Sequence, residues 1–357
     1  MLAAIVGARP NFIKHAALAP YLPDDTFLVH TGQHYDYEMS RIFFDQLEMP
    51  TPGVNLGIRE KTHSAQLGKM LLGLEKVLVQ YDVDTVIVYG DTNSSLAGAL
   101  CANKLALKLV HIEAGVRHFN RSVPEEVNRV LIDHISNLLM CPTELAMENA
   151  RRESCFGEAV LTGDLHYDLF LKVADRLKQQ LPSLIADLIG NEPYFLVTIH
   201  RASNTDDLRN LEAIVKALLT LKQQIVFPIH PRTKRALELA GLYEIVENAT
   251  HIHLIDPLGY VDFMRTLIHS ERVLTDSGGV QKEAYFCKVP CITLRNYSPW
   301  PETQINQWNQ VIVPDVQSIL TAVEKYPQGE QVPGLFGKGT AGVTISAAIH
   351  QLRSTSR

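Results

Sequence analysis

Short apolar runs recur along the whole chain, and each is followed by a stretch whose apolar residues have helical spacing. This alternation is typical of α/β domains built on a parallel sheet. The runs form two sets of six, so we expect two doubly wound, Rossmann-like sheets. The predicted strands are Leu2–Val6, Phe27–His30, Thr85–Tyr89, Leu109–Ile112, Leu138–Met140 and Ala159–Leu161 in the first set, and Tyr194–Ile199, Ile225–Ile229, Ile252–Ile255, Arg272–Leu274, Cys291–Leu294 and Val311–Val313 in the second.

The length of the chain, 357 residues, also favours two domains, because a single hydrophobic core seldom grows beyond about 250–300 residues. We place the first domain at residues 1–170 and the second at residues 171–339. A predicted helix over 168–189 follows the first sheet, and the turn at 190–193 begins the second. The last segment, 340–357, has helical spacing and is expected to pack back on the first domain.

Net charge, cysteine spacing and the length of the apolar runs argue against several classes of partner and cofactor. The formal net charge of −6 offers no basic field for polynucleotide phosphates, so nucleic acid is not an expected partner. The five cysteines form no Cys-x-x-Cys pair, which argues against a zinc or redox site and favours reduced thiols. No apolar stretch approaches the roughly 18 residues of a membrane span, and Leu2–Val6 is too short for a signal-peptide core. We therefore expect a cytoplasmic protein without membrane partners.

Polar side chains concentrate at the strand ends, where ligands bind in open α/β sheets. After the first strand, Arg9 and Lys14 flank a helix that Pro10 is placed to open, and a helix N-terminus favours an anion. The alternative is that both basic side chains are merely solvated. The glycine pattern of a dinucleotide-binding turn is absent here, so no nicotinamide cofactor is predicted.

Three further elements each place a carboxylate at this rim: Asp91, Glu113 and Glu125. Neighbouring carboxylates raise one another's proton affinity, which allows one to act as an acid while another stays a base. Taken singly, Asp91 can be a helix N-cap, and Glu125 and Glu126 can be favourable charges in a first helical turn. Arg129, four residues after Glu125, is placed to pair with it.

In the second half, His200 and His230 each follow a predicted strand, and Arg201 is next to the first of them. Metal ligation is not favoured, because no other ligand residue has the short spacing that would support it. A hydrogen bond to phosphate or sugar, or a buried structural role, is the preferred interpretation.

The strongest local motif is the run from Thr275 to Glu283 after the strand Arg272–Leu274. Ser277, Gly278 and Gly279 form a strand-to-helix turn whose backbone N–H groups can bind a diphosphate. Glu283 is one turn further along, where its carboxylate can accept hydrogen bonds from ribose hydroxyls. Phe263 can stack on a base, although core packing is the commoner role of such a ring. A tight turn without any ligand is the alternative.

These motifs together resemble those of the non-hydrolysing UDP-N-acetylglucosamine 2-epimerases, and the resemblance extends over nearly the whole chain. The branch that acts on UDP-2,3-diacetamido-2,3-dideoxy-glucuronic acid is the most similar in appearance. The residues that carry the resemblance are Gly7-Ala8-Arg9-Pro10, Thr31-Gly32-Gln33-His34, Gly90-Asp91-Thr92, Glu113-Ala114-Gly115, Pro124-Glu125-Glu126-Val127-Asn128-Arg129, His200-Arg201, Thr275-Asp276-Ser277-Gly278-Gly279 and Arg295.

The resemblance implies a GT-B fold of two Rossmann-like domains with the active site in the cleft between them, a homodimer, and a UDP-N-acetylated sugar as substrate for surface polysaccharide precursors. It implies neither metal nor redox cofactor. The implied site residues are Asp91, Glu113, Glu125 and His200 for catalysis, and Arg9, Lys14, Arg201, His230, Phe263, Ser277, Gly278, Gly279, Glu283 and Arg295 for binding.

The expected reaction inverts carbon 2 of the sugar. Its hydrogen is not adjacent to a carbonyl, so a base alone does not remove it easily. Departure of UDP from carbon 1 develops positive charge next to it, which favours elimination to a 2-acetamidoglucal and re-addition of UDP. General acid/base help is worth roughly 100- to 10,000-fold at each proton transfer.

The chain departs from the family pattern in three places. The segment 296–302 replaces the usual Asp-x-Thr-Glu motif, which puts contacts to the sugar in question, and Ser203 replaces a usual Glu. Asp36 and Lys69 stand where allosterically activated branches carry other residues, so that activation is not predicted. The competing hypotheses are a GT-B glycosyltransferase, a non-catalytic UDP-sugar sensor, and a hydrolysing relative that releases free N-acetylmannosamine.

Overall fold

The structure, a computed structural model, describes residues 1–33, 47, 49, 51–60, 62–177, 181–190 and 192–354. The chain divides into two compact units, Met1–Lys172 with Gly334–Arg357, and Val173–Pro333. The segment 334–339, which the sequence analysis placed with the second domain, therefore belongs with the first unit.

The first unit contains a parallel sheet of seven strands in the order β3-β2-β1-β4-β5-β6-β7. Its central strands β1 and β4 are buried along their whole length, as expected of strands covered by helices on both faces. The elements are β1 (Leu2–Val6), α1 (Arg9–Leu18), a 3₁₀ turn (Ala19–Tyr21), β2 (Thr26–His30), β3 (Val54–Asn55), α2 (His63–Gln80), β4 (Thr85–Tyr89), α3 (Asn93–Lys104), β5 (Lys108–Ile112), α4 (Pro124–Ile135), β6 (Leu138–Cys141), α5 (Glu144–Arg152) and β7 (Glu158–Leu161), followed by α6 (Leu165–Leu177), in which the boundary between the units falls after Lys172.

The second unit repeats this plan with six parallel strands in the order β10-β9-β8-β11-β12-β13. A cluster of buried side chains from α9, α14 and the strands forms its core. The elements are α7 (Ser183–Ile189), β8 (Tyr194–Thr198), α8 (Ala202–Thr205), α9 (Leu208–Thr220), β9 (Gln224–Pro228), α10 (Pro231–Leu239), α11 (Tyr243–Glu247), β10 (Ile252–Ile255), α12 (Tyr260–Ile268), β11 (Arg272–Thr275), α13 (Gly278–Phe286), β12 (Cys291–Leu294), a 3₁₀ segment (Pro301–Gln307), β13 (Asn309–Ile312) and α14 (Val316–Val323).

The last helix, α15 (Ala341–Ser354), is held on the first unit by side-chain hydrogen bonds. Arg353 donates to the carboxylates of Asp25 and Asp84, with N···O distances of 3.0 Å to each. Nζ of Lys108 donates to the carbonyl of Leu352 at 2.8 Å. These contacts tie the end of the chain to loops and a strand of the first sheet.

All twelve predicted strands are present, with ends shifted by at most a few residues. The two-residue strand β3 was not predicted, because so short an element has no readable periodicity. The single helix predicted over 168–189 is wrong: the described residues form α6 and α7 as separate helices. Pro182 precedes α7 with φ −50° and ψ 135°, an extended conformation that does not continue a helix. Within the described residues, no helix is both long and apolar enough to cross a membrane.

Candidate active site

Both sheets place the predicted site residues at the same topological position. In the first sheet the strand order reverses between β1 and β4, and in the second between β8 and β11. Ligands bind at the carboxyl ends of strands beside such a switch point. The segments that follow these four strands carry Arg9, Asp91, His200 and the Ser277 turn, so the topology brings the predicted residues of each unit together.

Lys14 and Glu113 form an ion pair at the first switch point. Nζ of Lys14 lies 2.9 Å from Oε1 of Glu113, and the lysine is 3% exposed. Both groups face Gly90, where a Cβ atom would lie 3.3 Å from each of these two atoms. Lys14, which was predicted to contact the diphosphate or the sugar, therefore pairs with a carboxylate here, because a buried ammonium requires a counter-charge.

Glu113 has a backbone conformation that side-chain-bearing residues seldom adopt, with φ +70°. Its N–H and that of Ala114 both donate to the carbonyl of Met140 at 3.1 Å, which holds the turn against β6. Such strain is typical of residues whose orientation matters to function. The turn directs the carboxylate towards Lys14 and Gly90.

Asp91 is held from two sides by α4. Its carboxylate forms an ion pair with Arg129, and its carbonyl accepts a hydrogen bond from Nδ2 of Asn128 at 2.9 Å. Burial raises the pKa of Asp91, and Glu113 raises it further, but the charges of Arg129 and Lys14 and the Arg129 hydrogen bond lower it overall. Asp91 is therefore an ionised carboxylate at neutral pH, the form that accepts a proton.

The two glutamates that open α4 have different environments. Glu126 is buried, accepts a 2.7 Å hydrogen bond from the backbone N–H of Phe119, and lies 3.3 Å from the guanidinium of Arg129. The prediction that Arg129 pairs with Glu125 is wrong, since its ion pairs are with Asp91 and Glu126. Glu126 is an acidic residue of the first helical turn, as predicted, and its carboxylate is in addition buried and hydrogen-bonded. Glu125 is half-buried in the same turn.

Arg9 begins α1 and is half-buried. The neighbouring loop is closed by Asn11, whose Oδ1 accepts from the N–H groups of Gly7 at 3.2 Å and Ala8 at 3.0 Å. Nδ2 of Asn11 donates to the carbonyl of Tyr89 at 2.7 Å. The side chain of Asn11 thus joins the ends of β1 and β4, the two strands of the switch point.

In the second unit, Asp276 organises the turn that carries His200 and Arg201. Its carboxylate is fully buried and accepts from the backbone N–H groups of His200 at 3.1 Å and Arg201 at 2.9 Å, and from Nδ2 of Asn204 at 3.0 Å. Nδ1 of His200 lies 3.5 Å from the same carboxylate. The ring of His230 is 5.4 Å from that of His200, so both predicted histidines share one surface.

The turn predicted to bind diphosphate is the N-terminus of α13. Ser277 precedes the helix without a side-chain cap, and a Cβ at Gly278 would make only ordinary contacts, 3.5 Å to Pro299 and 3.8 Å to Trp300. The protein itself therefore does not require glycine at position 278. Glu283 is buried on the same helix, and Phe263 is buried on α12, which favours the core-packing alternative for that ring.

The segment 296–302, where the sequence departs from the family pattern, supplies aromatic contacts to two buried cations. The guanidinium of Arg295 lies 3.9 Å from the ring centre of Tyr297. Nζ of Lys282 lies 4.0 Å from the ring centre of Trp300. Both distances are within the range of cation–π contacts, so this segment orients Lys282 of α13 and Arg295, which directly follows β12.

Three potential ligand residues of the first unit lie close enough to bind a cation. Glu113, Asp164 and His166 place one donor atom each within 4.8 Å of one another. Lys14, Glu113 and Asp164 also line a small pocket that is open to solvent, together with Gly163 and a residue of α15. The ammonium of Lys14 at 2.9 Å from Glu113 opposes a metal ion at that carboxylate.

Comparison with known proteins decides between the hypotheses. A family model described as UDP-N-acetylglucosamine 2-epimerase matches residues 23–350. The chain belongs to this family. The resemblance inferred from the motifs is therefore confirmed.

Relatives of this family match the chain over nearly its full length. A UDP-N-acetylglucosamine 2-epimerase homolog of Methanococcus maripaludis is 44% identical, covering 98% of this chain and 99% of its own. A UDP-2,3-diacetamido-2,3-dideoxy-D-glucuronate 2-epimerase of Pseudomonas aeruginosa is 39% identical with the same coverage. The crystal structure of the Methanocaldococcus jannaschii UDP-GlcNAc 2-epimerase in complex with UDP-GlcNAc and UDP is 38% identical, covers 98% of this chain and 99% of its own, and has a TM-score of 0.91.

Family membership and the two parallel sheets confirm the predicted fold class of two Rossmann-like domains. They favour the 2-epimerase hypothesis over the glycosyltransferase and sensor alternatives. His34 and Asp36 lie outside the described residues. Lys69, at the second position considered for allosteric activation, is exposed and paired with Glu60.

Several residues that shape the site of this 2-epimerase family member were not predicted from sequence. Asn11, Asn128 and Asp276 hold turns rather than face solvent, so no pattern distinguished them from ordinary loop residues. Asp164 and His166 follow β7, at the same kind of strand end as the predicted site residues. Reading every predicted strand end for polar residues would have found those two.

Proposed function

We propose that this member of the 2-epimerase family inverts carbon 2 of a UDP-linked N-acetylhexosamine, by elimination of UDP to a 2-acetamidoglucal and its re-addition. Membership of the family makes the chain an isomerase of the epimerase type. The observation that carries the mechanism is the cluster of Lys14, Asp91 and Glu113 at the switch point of the first sheet. Two carboxylates and a buried cation at one rim are the groups that proton removal and return require.

The state of Asp91 supports its role as a proton acceptor. Arg129 holds the pKa of Asp91 low in spite of burial, so the carboxylate is ionised before the substrate arrives. Glu113 faces the ammonium of Lys14 in a strained turn, which fixes its direction. We assign Asp91, Glu113 and Glu125 to acid/base catalysis, and His200 to the same reaction from the second unit.

The nucleotide end is assigned to the second unit. The N-terminus of α13 presents backbone N–H groups after Ser277, and a helix N-terminus stabilises phosphate charge. Since the fold itself tolerates a side chain at Gly278, the glycine is explained by close approach of a ligand to the main chain. Glu283 would accept hydrogen bonds from ribose, with Gly279, Arg201, His230 and Arg295 near the phosphates and sugar.

The reaction balances without a metal or redox cofactor. In the first half, a carboxylate takes the proton from carbon 2, the electron pair forms the carbon 1–carbon 2 double bond, and the carbon 1–oxygen bond breaks with its electrons on UDP. In the second half, a carboxylic acid delivers a proton to the opposite face of carbon 2 and UDP oxygen attacks carbon 1. Positive charge from Arg9 and Arg295 would stabilise the departing UDP.

Two substrates fit the proposal: UDP-N-acetylglucosamine and its 2,3-diacetamido uronic acid analogue, both as precursors of surface polysaccharide. The Pseudomonas aeruginosa relative is named for the second and the Methanocaldococcus jannaschii relative for the first, at the same identity of 39%. Parallel assays of kcat/KM with both UDP-sugars decide between them. A preference of less than about tenfold would mean that the chain does not discriminate at carbon 6 and carbon 3.

The central test is exchange at carbon 2. Turnover of the UDP-sugar in heavy water should place deuterium at that carbon in the product, as read by proton NMR and mass spectrometry. Turnover without incorporation contradicts elimination and re-addition. Release of free N-acetylmannosamine, or a UDP release that depends on an added acceptor, would point to the hydrolysing or glycosyltransferase alternatives.

We also propose that the protein works as a cytoplasmic homodimer, as the motif resemblance implies. Light scattering coupled to size-exclusion chromatography should give about twice the 39.9 kDa mass of the chain. A monomeric mass at micromolar concentration would remove this part of the proposal and leave the chemistry unaffected.

A further inference from the structure

A buried histidine and aspartate join the two turns that carry the proposed acid/base carboxylates. His111 lies on β5 and Asp133 on α4, and both side chains are fully buried. Nδ1 of His111 is 2.6 Å from Oδ1 of Asp133, and Nε2 of His111 is 2.9 Å from the carbonyl oxygen of Gly90, the residue before Asp91. The pair therefore contacts the first turn directly.

Asp133 holds the second turn with its other oxygen. Oδ2 of Asp133 accepts a hydrogen bond from the N–H of Gly115 at 3.0 Å, two residues after Glu113, and forms an ion pair with Nη2 of Arg117 at 2.7 Å. Gly115 has φ +75°, and a Cβ there would lie 2.0 Å from the carbonyl oxygen of Ala146, so this turn has little freedom to adopt another conformation. One side-chain pair thus fixes the backbone on both sides of the proposed site.

The hydrogen-bond partners define the protonation of His111. Both ring nitrogens face oxygen acceptors, a carboxylate and a backbone carbonyl, and a neutral imidazole can donate from only one of them. Turning the ring over would place carbon atoms against both acceptors and lose both hydrogen bonds. Only the doubly protonated ring satisfies the two contacts at once.

The negative charges around His111 and Asp133 equal the positive charges when His111 is protonated. Arg117 and a charged His111 supply two positive charges, and Asp133 and Glu153 supply two negative charges, with Nε of Arg117 donating to Glu153 at 2.9 Å. Burial raises the pKa of Asp133, but the charge and hydrogen bond of His111, the charge of Arg117 and the hydrogen bond from the N–H of Gly115 lower it overall, so this carboxylate is ionised.

The remaining titratable groups near this network do not change its net charge at pH 7. Burial raises the pKa of Cys141 to about 12 and that of Cys155 to about 11, so both thiols are neutral at pH 7. His134 faces the partly exposed Glu153 at 3.6 Å, on the solvent side of the network.

We propose that His111 and Asp133 are a positioning pair, in which an imidazolium and a carboxylate fix the Gly90 and Gly115 turns and thereby the carboxylates of Asp91 and Glu113. Neither residue touches the reacting atoms in this scheme. The inference rests on the proposed function for its catalytic consequence, because Asp91 and Glu113 are the groups that it orients. The charge state of His111 is independent of that function.

The first experiment measures the charge state directly. In protein labelled with ¹⁵N-histidine, the two ring nitrogens of His111, assigned by loss of the signals in His111→Gln, should both carry protons at pH 7. In Asp133→Asn, the new amide donates to Nδ1, so His111 should become neutral and keep its proton on Nε2. A singly protonated ring in the wild-type protein would overturn the proposal.

The second experiment measures the kinetic consequence. Asp133→Asn and His111→Gln should lower kcat roughly 10- to 100-fold, as loss of an orienting group does elsewhere, with KM for the UDP-sugar changed less than about threefold. The matched control is Ser136→Ala at the C-cap of the same helix, which removes a buried 2.7 Å hydrogen bond to the carbonyl of Ile132 and touches neither turn. Thermal unfolding of each variant identifies any that has lost its fold.

Failure of this inference and failure of the proposed function give different results. If Asp91→Asn and Glu113→Gln abolish deuterium exchange while folded Asp133→Asn keeps wild-type kcat, the positioning pair is refuted and the function stands. If Asp91→Asn and Glu113→Gln are fully active, the site assignment fails, and the ¹⁵N measurement still tests the charge state of His111.

Discussion

The ammonium of Lys14 lies 2.9 Å from Oε1 of Glu113, at a place where the lysine is 3% exposed and the glutamate has a left-handed backbone. Removing one member of a buried ion pair leaves the other charge poorly solvated, and this costs more than the pair itself contributes. The direction and charge of Glu113 therefore depend on Lys14.

Lys14→Met should lower kcat/KM for the UDP-sugar by about 100-fold or more, because it removes a preorganised charge from the site. Initial rates at saturating and limiting substrate give the two parameters. Lys104→Met, at the exposed end of α3, is the control and should stay within about twofold of wild type. An equal effect of both substitutions would show that Lys14 acts only through the overall charge.

Arg129→Gln should move the acid limb of the pH profile of kcat/KM to higher pH. Arg129 holds the pKa of Asp91 low against the effect of burial, so its loss lets the carboxylate take up a proton at higher pH. The same sign holds for stability: the depressed pKa stabilises the folded state above the unfolded pKa, and this contribution is lost as pH falls through the folded pKa. An unchanged acid limb would contradict the role of Asp91 as a base. The surface variant Arg152→Gln, which loses only its pair with Glu148, is the control.

Gly278→Ala should weaken UDP binding without lowering the stability of the fold. The added methyl would make ordinary contacts with Pro299 and Trp300, so the free energy of unfolding should stay within about 1 kcal/mol of wild type. The affinity for UDP, measured by calorimetry, should fall at least about tenfold if phosphate approaches the main chain there. Gly68→Ala in α2, where a Cβ meets nothing within 4 Å, should change neither quantity for the worse. Unaltered UDP affinity in Gly278→Ala would remove this turn from the nucleotide site.

Asp276→Asn should weaken UDP binding through the turn that carries His200 and Arg201. The buried carboxylate accepts from both backbone N–H groups and from Asn204, and the amide that replaces it presents donors to donors. We expect a loss of about 1–3 kcal/mol in unfolding free energy and a clear drop in UDP affinity. Asp207→Asn, at the N-terminus of α9, is a control that should leave UDP binding intact. Normal affinity in folded Asp276→Asn would show that the His200 turn does not contact the nucleotide.

Much of the fold was predictable because its signals are local. The run Thr85–Tyr89 is apolar at every position except its first, and Gly90 follows it directly, which marks a buried strand and its turn without any tertiary information. Pro182 is also a local signal, because proline disfavours the interior of a helix. The prediction of one helix through it was wrong, and the described residues form two helices. The site motifs after the strands were predictable for the same reason, since topology places all carboxyl ends of a parallel sheet at one edge.

Local sequence patterns specify the two sheets, the positions of Asp91, Glu113 and the Ser277 turn at strand ends, and the family resemblance that these motifs carry. The partners of these groups are visible only in the folded protein: Lys14 for Glu113, Arg129 for Asp91, His111 for the Gly90 turn and Asp133 for the Gly115 turn. The reason is physical. Hydrophobic periodicity is encoded in neighbouring residues, whereas a buried charge is neutralised by whichever opposite charge the packed chain brings within about 3 Å, and residues 38 or 99 positions apart carry no mark of that contact in sequence.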